Sequence, residues 1–377
     1  MGGLQHRQET KLQGLSGRRA PFQASGLKRA RSTVDVVIPC YNYSRYLRGC
    51  VNSVLSQSGV DARVLVIDDA SSDETPLVGQ DLAASDRRVS YRRHEVNAGH
   101  IATYNEGLLG WSSADYVVLL SADDMLAPGS LRRAVRIMED DDTIGMVYGR
   151  AIHFEQENEL PHISAKHFNH RRFLGNEWLD VRCRAGYNVI TSPEVVVRGS
   201  IQRAVGGYRP ELPHAGDLEM WLRIAAVSNI AYIFRVPQAF YRVHPRSMIR
   251  TVYRGSFLDL RQRKAVFDAF FEHHRYVVPD ADRLCQLANR ALAREALWDA
   301  CRAYDRNDVE SSHADELVEF ALMTYPGASS LAEYAALRRR RRIGPMICNR
   351  TQIFAGPALV RKIRRWVLKQ RWKRQGV

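Results

Sequence analysis

Short β-branched runs alternate with amphipathic stretches through the first 145 residues. Val34-Asp35-Val36-Val37-Ile38, ended by Pro39, predicts a strand. From Ser44 to Ser58, Leu47, Val51, Val54 and Leu55 fall at helical spacing, which predicts an amphipathic helix with Ser44 as its N-cap. Residues 64–67 predict a second strand ending in Asp68-Asp69, and residues 72–84 a second helix. A strand at 89–93, a helix at 102–109, a strand at 116–120 and a helix at 130–138 follow. This alternation implies a parallel, doubly wound sheet, in which ligands bind beyond the carboxyl ends of the strands. Three polar strand ends then converge on one crevice: Pro39-Cys40-Tyr41-Asn42, Asp68-Asp69 and Ser121-Ala122-Asp123-Asp124.

Beyond this stretch the pattern changes. Residues 146–250 read as mixed, with strands at 146–154, 194–197 and 230–236 and a helix at 218–226. Residues 256–325 keep helical spacing. The expected organisation is a basic disordered tail over 1–31, an α/β domain over 32–250, a helical region over 251–336 and a basic tail over 337–377.

Charge sharpens that division. The net charge of +14 is carried by the two ends. Residues 1–31 hold +6 and residues 337–377 hold +14, which leaves −6 for the body. The basic ends therefore do not make the body a nucleic-acid binder, and no nucleic-acid module is recognisable. Six cysteines without C-x-x-C pairs or zinc spacing read as free thiols of a reducing cytosol. No apolar run approaches the ~20 residues of a membrane span, and no signal peptide is recognisable.

Adjacent carboxylates at a buried strand end repel each other and lose hydration, and a divalent cation would relieve both costs. Asp123-Asp124 fits that description; a loop cap is the other reading of the same residues. Four motifs in order then carry a resemblance. Val36-Val37-Ile38-Pro39-Cys40-Tyr41-Asn42, Val66-Ile67-Asp68-Asp69-Ala70-Ser71-Ser72-Asp73, Asn97-Ala98-Gly99 with Asn105, and Leu119-Leu120-Ser121-Ala122-Asp123-Asp124 resemble the family-two glycosyltransferases over residues 33–250. The resemblance implies a GT-A nucleotide-sugar fold, α/β with a mostly parallel sheet. It implies that Pro39 and Tyr41 line a base pocket, that Asp69 accepts a hydrogen bond from the base, and that Asp68 supports that loop. Asn105 would lie near the nucleotide. Asp123 would coordinate a divalent metal, Mn²⁺ or Mg²⁺, with Asp124 beside the metal or the sugar. Two departures stand out: Ser121 occupies the position of the first Asp of the family's Asp-x-Asp motif, and Tyr104 that of an Arg.

Gly216-Asp217-Leu218-Glu219-Met220-Trp221 resembles the family's acceptor-side motif, with Gly216 where a Glu is usual. Asp217 is then the candidate base for an inverting transfer, with Glu219 second and a simple helix cap as the bland reading. Tyr241-Arg242-Val243-His244 resembles a late motif whose His binds metal or diphosphate, and imidazole suits Mn²⁺ more than Mg²⁺. Cys40 reads as a small buried side chain, Trp178 and Tyr187 as core or acceptor-side aromatics, and Glu139–Asp142 as a solvated loop.

In the C-terminal tail, Leu359, Val360, Ile363, Trp366 and Val367 form a stripe among Arg and Lys residues. This predicts a basic amphipathic helix on an anionic membrane, with docking on the catalytic body as the alternative. The expected function is transfer of a sugar from a UDP- or TDP-type donor to a saccharide or lipid-linked hydroxyl, in surface polysaccharide or glycolipid assembly. The expected setting is cytoplasmic, peripheral on the inner membrane face. Two alternatives stand: a non-catalytic binding protein with a degenerate site, and a sugar nucleotidyltransferase. The second wants a Gly-rich loop after the first strand, which residues 39–44 lack.

Overall fold

The computed structural model describes residues 31–163, 168–244 and 256–377. The expected N-terminal tail lies outside the described residues except for Arg31. Ser32–Val377 form one compact unit.

The predicted β-branched runs form strands. β1 (Thr33–Cys40), β2 (Asp61–Asp68), β3 (Val89–Arg93) and β4 (Tyr116–Leu119) form one end of an eight-stranded sheet. Val36, Ile38, Val64, Val66 and Val118 pack into one apolar cluster, while Val37, Leu65, Ile67 and Val117 pack into another. Successive side chains of a strand point to opposite faces, so a continuous apolar run serves a sheet covered on both sides. One face carries α1 (Ser44–Leu55), α2 (Thr75–Ser85) and α4 (Ser130–Asp140). Helix α1 buries Leu47, Val51 and Val54 as its spacing predicts. Ser44 is not its N-cap: Tyr43 holds that position without a side-chain cap, and Asp73 accepts the Ser44 N–H at 3.0 Å from the neighbouring loop.

The sheet order is β3-β2-β1-β4-β9-β6-β10-β8. The pairs among β3, β2, β1 and β4 are parallel, as is β6 (Ile144–Tyr148) with β10 (Asn229–Phe234). β9 (Val196–Arg198) lies antiparallel between β4 and β6, and β8 (Asn169–Phe173) is an antiparallel edge. Four of the seven neighbour pairs are parallel, so the sheet is mostly parallel as expected, and every antiparallel pair involves β8 or β9, beyond the alternating stretch. A second sheet, β5 (Met125–Leu126), β11 (Ala239–Arg242) and β7 (Ala151–Phe154), forms beside the Asp123-Asp124 turn.

The other face carries α3 (His100–Asn105), α5 (Gly175–Ala185), α6 (Gly199–Val205) and α7 (Gly216–Val227). Helix α3 continues into a π-helix over Glu106–Trp111. A Cβ on Gly107 would stand 2.2 Å from Val37 Cγ1, so only glycine allows this approach to the sheet. The apolar cluster of this face does not stop at the expected boundary near residue 250. It continues through Phe267, Phe270, Leu292 and Leu297 of helices Ser256–His274 and Ala281–Arg306. The last helix, Ala355–Gln375, is anchored at its end, where the Tyr232 hydroxyl donates to Lys373 O at 2.8 Å and the Tyr148 hydroxyl to Gly376 O. Its Leu359, Val360, Ile363 and Trp366 are exposed. No helix among the described residues is long and apolar enough to cross a membrane.

Candidate active site

The strand ends converge as expected, and the loops after them are tied to one another. Asn42, in the left-handed region at φ 57°, accepts the Ser72 N–H on its Oδ1 at 2.8 Å, and its own N–H donates to Ser71 Oγ at 2.9 Å. Asn tolerates that conformation because its short polar side chain bonds locally. Asp68 is fully buried and accepts from the Ser71 N–H and the Tyr91 hydroxyl, so it holds the loop that follows β2.

Two adjoining cavities open above these loops. The smaller, about 260 Å³, is lined by Pro39, Cys40, Tyr41, Asp69, Asn97 and Gly99. Tyr41 is half exposed at its rim, free to stack on a planar ring. Asp69 is buried in a cradle: Oδ1 accepts from Ala98 N–H at 2.7 Å and Oδ2 from Gly99 N–H at 2.9 Å. Gly99 has φ 84°, a conformation that lets these successive N–H groups face one carboxylate. His94 Nδ1 stands 2.8 Å from Asp69 Oδ1. Cys40 is buried, which pushes its thiol up to about 12, so it packs rather than reacts.

The larger cavity, about 540 Å³, shares Tyr43, His100, Tyr104 and Ser121 with the smaller one. Asp123, Asp124, Asp217 and Tyr241 line it. Asp123 Oδ2 lies 3.0 Å from His244 Nε2, so the two residues named as metal ligands do meet. His244 Nδ1 is buried without a partner among the described residues. Asp124 lines the same cavity and is held by the turn. It is buried, and its Oδ1 accepts the Arg242 N–H at 2.8 Å. Burial first, and then the charge of Asp123, push the Asp124 carboxyl well above the usual range. Arg242 locks the turn from below: it donates to Asp123 O at 2.9 Å and to Glu157 Oε1 at 2.7 Å, with its guanidinium over the rings of Tyr46 and Phe154.

Asp217 stands in the first turn of α7 on the cavity wall. The Ser192 hydroxyl donates to its Oδ2 at 2.7 Å. Burial raises its carboxyl above the usual range, against the opposing hydrogen bonds from Ser192 and Tyr208 and the charge of His100. Glu219 is not a rival base. It is fully buried and held by Arg209 at 2.9 Å and Arg223 at 2.8 Å, facing the helix packing. Two positions along a helix turn a side chain to another face.

Asn105 is the clearest correction. It lines neither cavity. Its amide accepts from the Tyr208 N–H at 2.6 Å and donates to Tyr208 O at 2.8 Å, so it ties α3 to the loop before α7. Of the two aromatics, Trp178 is fully buried core and Tyr187 lines the larger cavity. The sequence reading missed the part of the wall contributed by the helical region. Asp259, Arg263 and Glu295 line the larger cavity, and Arg263 donates to Asp259 at 2.8 Å and Glu295 at 2.9 Å. The signal available in sequence was Asp259 and Arg263 at i and i+4 on one helix face; nothing pointed to the cavity.

A divalent cation fits the donors present. One carboxylate and one imidazole face each other, and the imidazole has a buried ring nitrogen without a partner among the described residues. Oxygen and nitrogen donors together suit Mn²⁺. Among the described residues no third His, Cys, Asp or Glu joins them, so the remaining positions would fall to a ligand's own oxygens.

The family model described as "Glycosyl transferase family 2" matches residues 35–196. An uncharacterized glycosyltransferase of Haemophilus influenzae is 25% identical over 221 residues, 56% of this chain and 65% of that protein. The hyaluronan synthase of Pasteurella multocida is 24% identical over 216 residues, 57% of this chain and 21% of that protein. The chain therefore spans about two-thirds or less of the length of these relatives. In three dimensions it is similar to S. aureus TarS 1–349 in complex with UDP-GlcNAc, with a TM-score of 0.58 and 13% identity over 82% of this chain and 91% of that one. That likeness speaks to the fold alone.

Proposed function

Residues 35–196 place this chain among the family-2 glycosyltransferases, and from that premise we propose that it transfers a sugar from a nucleoside diphosphate donor to a hydroxyl acceptor with inversion. The observation that carries the reading is the pair of adjoining cavities, one built around Asp69 and the other around Asp217, with Asp123 on the wall of the larger one and His244 paired to it.

The smaller cavity takes the base. Tyr41 stacks on it, Pro39 bounds it, and Asp69 accepts its ring N–H, which suits uracil and thymine alike. The UDP-GlcNAc held by the similar TarS structure and the hyaluronan synthase among the relatives support a UDP-type donor and a glycan acceptor. Asp217 takes the proton of the acceptor hydroxyl as that oxygen attacks the anomeric carbon from the face opposite the diphosphate. The bond from that carbon to the diphosphate oxygen breaks, and the nucleoside diphosphate leaves with the electron pair. A carboxylate raised by burial is a stronger base than one in water, and its hydrogen bond from Ser192 fixes its aim. Asp123 and His244 would hold a divalent cation, which when bound supplies positive charge against the leaving diphosphate. Asp124, held by the Arg242 N–H, lines the cavity beside the sugar.

The C-terminal helix supports a peripheral membrane setting and lipid-linked acceptors. Its exposed Leu359, Ile363 and Trp366 lie in a segment whose only charges are cationic. Sedimentation with vesicles of anionic and of neutral lipid tests this, and equal binding to both would overturn it.

The function is tested by thermal unfolding with UDP, TDP, GDP and CMP, each with and without Mn²⁺. A ligand at 100 times its dissociation constant adds about 2.7 kcal/mol, a shift of several degrees. A Mn²⁺-dependent shift with UDP or TDP, lost in Asp123→Ala, is expected. No shift with any nucleotide would favour a binding protein with a degenerate site.

A further inference from the structure

His94 begins the loop that leaves β3 and stands between two carboxylates. Its Nδ1 is 2.8 Å from Asp69 Oδ1 and its Nε2 is 2.7 Å from Glu106 Oε2. Ionised carboxylates only accept, and a neutral imidazole carries one N–H. Both contacts are satisfied together only when both ring nitrogens carry protons. The surrounding charges agree. Arg92, from β3, lies 3.3 Å from Glu106. Arg93 faces Asp68 and donates to Ser71 O, away from the imidazole. Burial opposes the charge on His94, yet the two carboxylates raise it above its ordinary value. Burial likewise opposes ionised Glu106, yet His94 and Arg92 hold it below the usual carboxylate range. His94 is itself largely buried, with 18% of its side chain exposed.

We propose that His94, as an imidazolium, is a positioning residue that holds Asp69 for the nucleobase, so that nucleotide affinity falls when His94 loses its proton. This rests on the reading of the smaller cavity as the base site. Asp69 Oδ1 takes two donors, Ala98 N–H and His94, while Oδ2 takes one from Gly99 and keeps room for another. Deprotonation leaves one imidazole nitrogen with its lone pair facing a carboxylate. When that nitrogen is Nδ1, the repulsion turns Asp69 within its cradle and moves Oδ2 off the base. Glu106 is then the remote member of a relay that ends at the base without touching it.

The experiment is UDP titration with Mn²⁺ between pH 6 and 8.5, on the full chain and on His94→Gln. It is combined with NMR titration of the histidine ring protons in the unliganded protein. Ionisation of UDP is common to both proteins and cancels in the ratio of their dissociation constants. The ring signal that disappears in H94Q should titrate above the 6.5 of an unperturbed histidine. Wild-type advantage over H94Q should fall by about fivefold or more as that signal deprotonates. Glu106→Gln should move the midpoint down while the chain stays folded. A ring midpoint at or below 6.5, or a ratio of dissociation constants constant with pH, would overturn the proposal while nucleotide binding itself stands. Failure of the wild type to bind UDP or TDP at any pH would overturn the glycosyl-donor reading and the positioning role with it.

Discussion

The two ends of the cleft are built differently. At the base end the chain supplies its own partners: two backbone N–H groups and an imidazole surround Asp69 before any ligand arrives. At the transfer end Asp123 and His244 meet as a pair, and a ring nitrogen of His244 is buried without a partner among the described residues. Asp217 there is raised by burial that its hydrogen bonds only partly offset. The first arrangement holds its carboxylate with partners already in place, suited to recognising a flat ring. The second keeps unsatisfied groups, which is where a cation and a proton have to be received.

Substitutions that treat the two ends alike should expose this difference. The largest effect is expected for Asp217→Asn, which removes the proton acceptor. It should lower kcat by about 10²–10⁴-fold and leave the UDP dissociation constant unchanged. The same variant should melt no lower than the wild type, because it removes a carboxylate whose charged form burial disfavours. Equal losses in UDP binding and kcat would mean that Asp217 is part of the donor site. In the wild type, activity should fall on the acid side with a midpoint above the ordinary carboxylate 3.8, since a protonated Asp217 cannot accept a proton. Asp217 is raised in the fold, so its folding contribution is present below the unfolded pKa and lost as pH rises through the raised one. Lower pH should thus protect the fold locally where it stops the chemistry.

Chelation, or Asp123→Ala, comes next. Either should abolish the Mn²⁺-dependent part of the nucleotide shift, up to about 2.7 kcal/mol, without touching the base contacts. Asp69→Asn should weaken UDP by about tenfold or more with and without Mn²⁺, because an amide brings N–H groups against the N–H groups of Ala98 and Gly99. A metal-dependent loss in D69N would blur the division between the ends. The smallest effect is expected for Asn105→Ala. Losing both bonds to the Tyr208 backbone should cost about 1–2 kcal/mol of stability, read by denaturant midpoint, with UDP affinity unchanged.

The division also explains what could be read in the chain. Strand ends were legible because β-branched runs stop at polar residues, as at Ile67-Asp68-Asp69 and Leu120-Ser121. The meeting of Asp123 with His244 was legible only through motif order, since 121 positions separate them. The role of Asn105 was not legible. A polar residue on a helix points the same way in sequence whether it reaches a nucleotide or the backbone of Tyr208. The antiparallel β9 was hidden because three residues, Val196–Arg198, carry no direction in their pattern. The acidic and basic groups of Asp259, Arg263 and Glu295 reach the cavity from helices whose spacing speaks only of helical packing. Ser44 looked like a cap by type, yet a carboxylate from another loop does that work.

One apolar cluster joins the sheet to Phe267, Leu292 and Leu297, while the family pattern ends at residue 196. The segment matched by the family model is therefore shorter than the folded unit. A fragment cut at residue 250 would keep every motif and lose the cover of its own interior. Gene fusions and shuffled domains drawn along the motif boundary would fail for a reason that no motif records, and breakpoints beyond the helices are the ones expected to yield soluble protein.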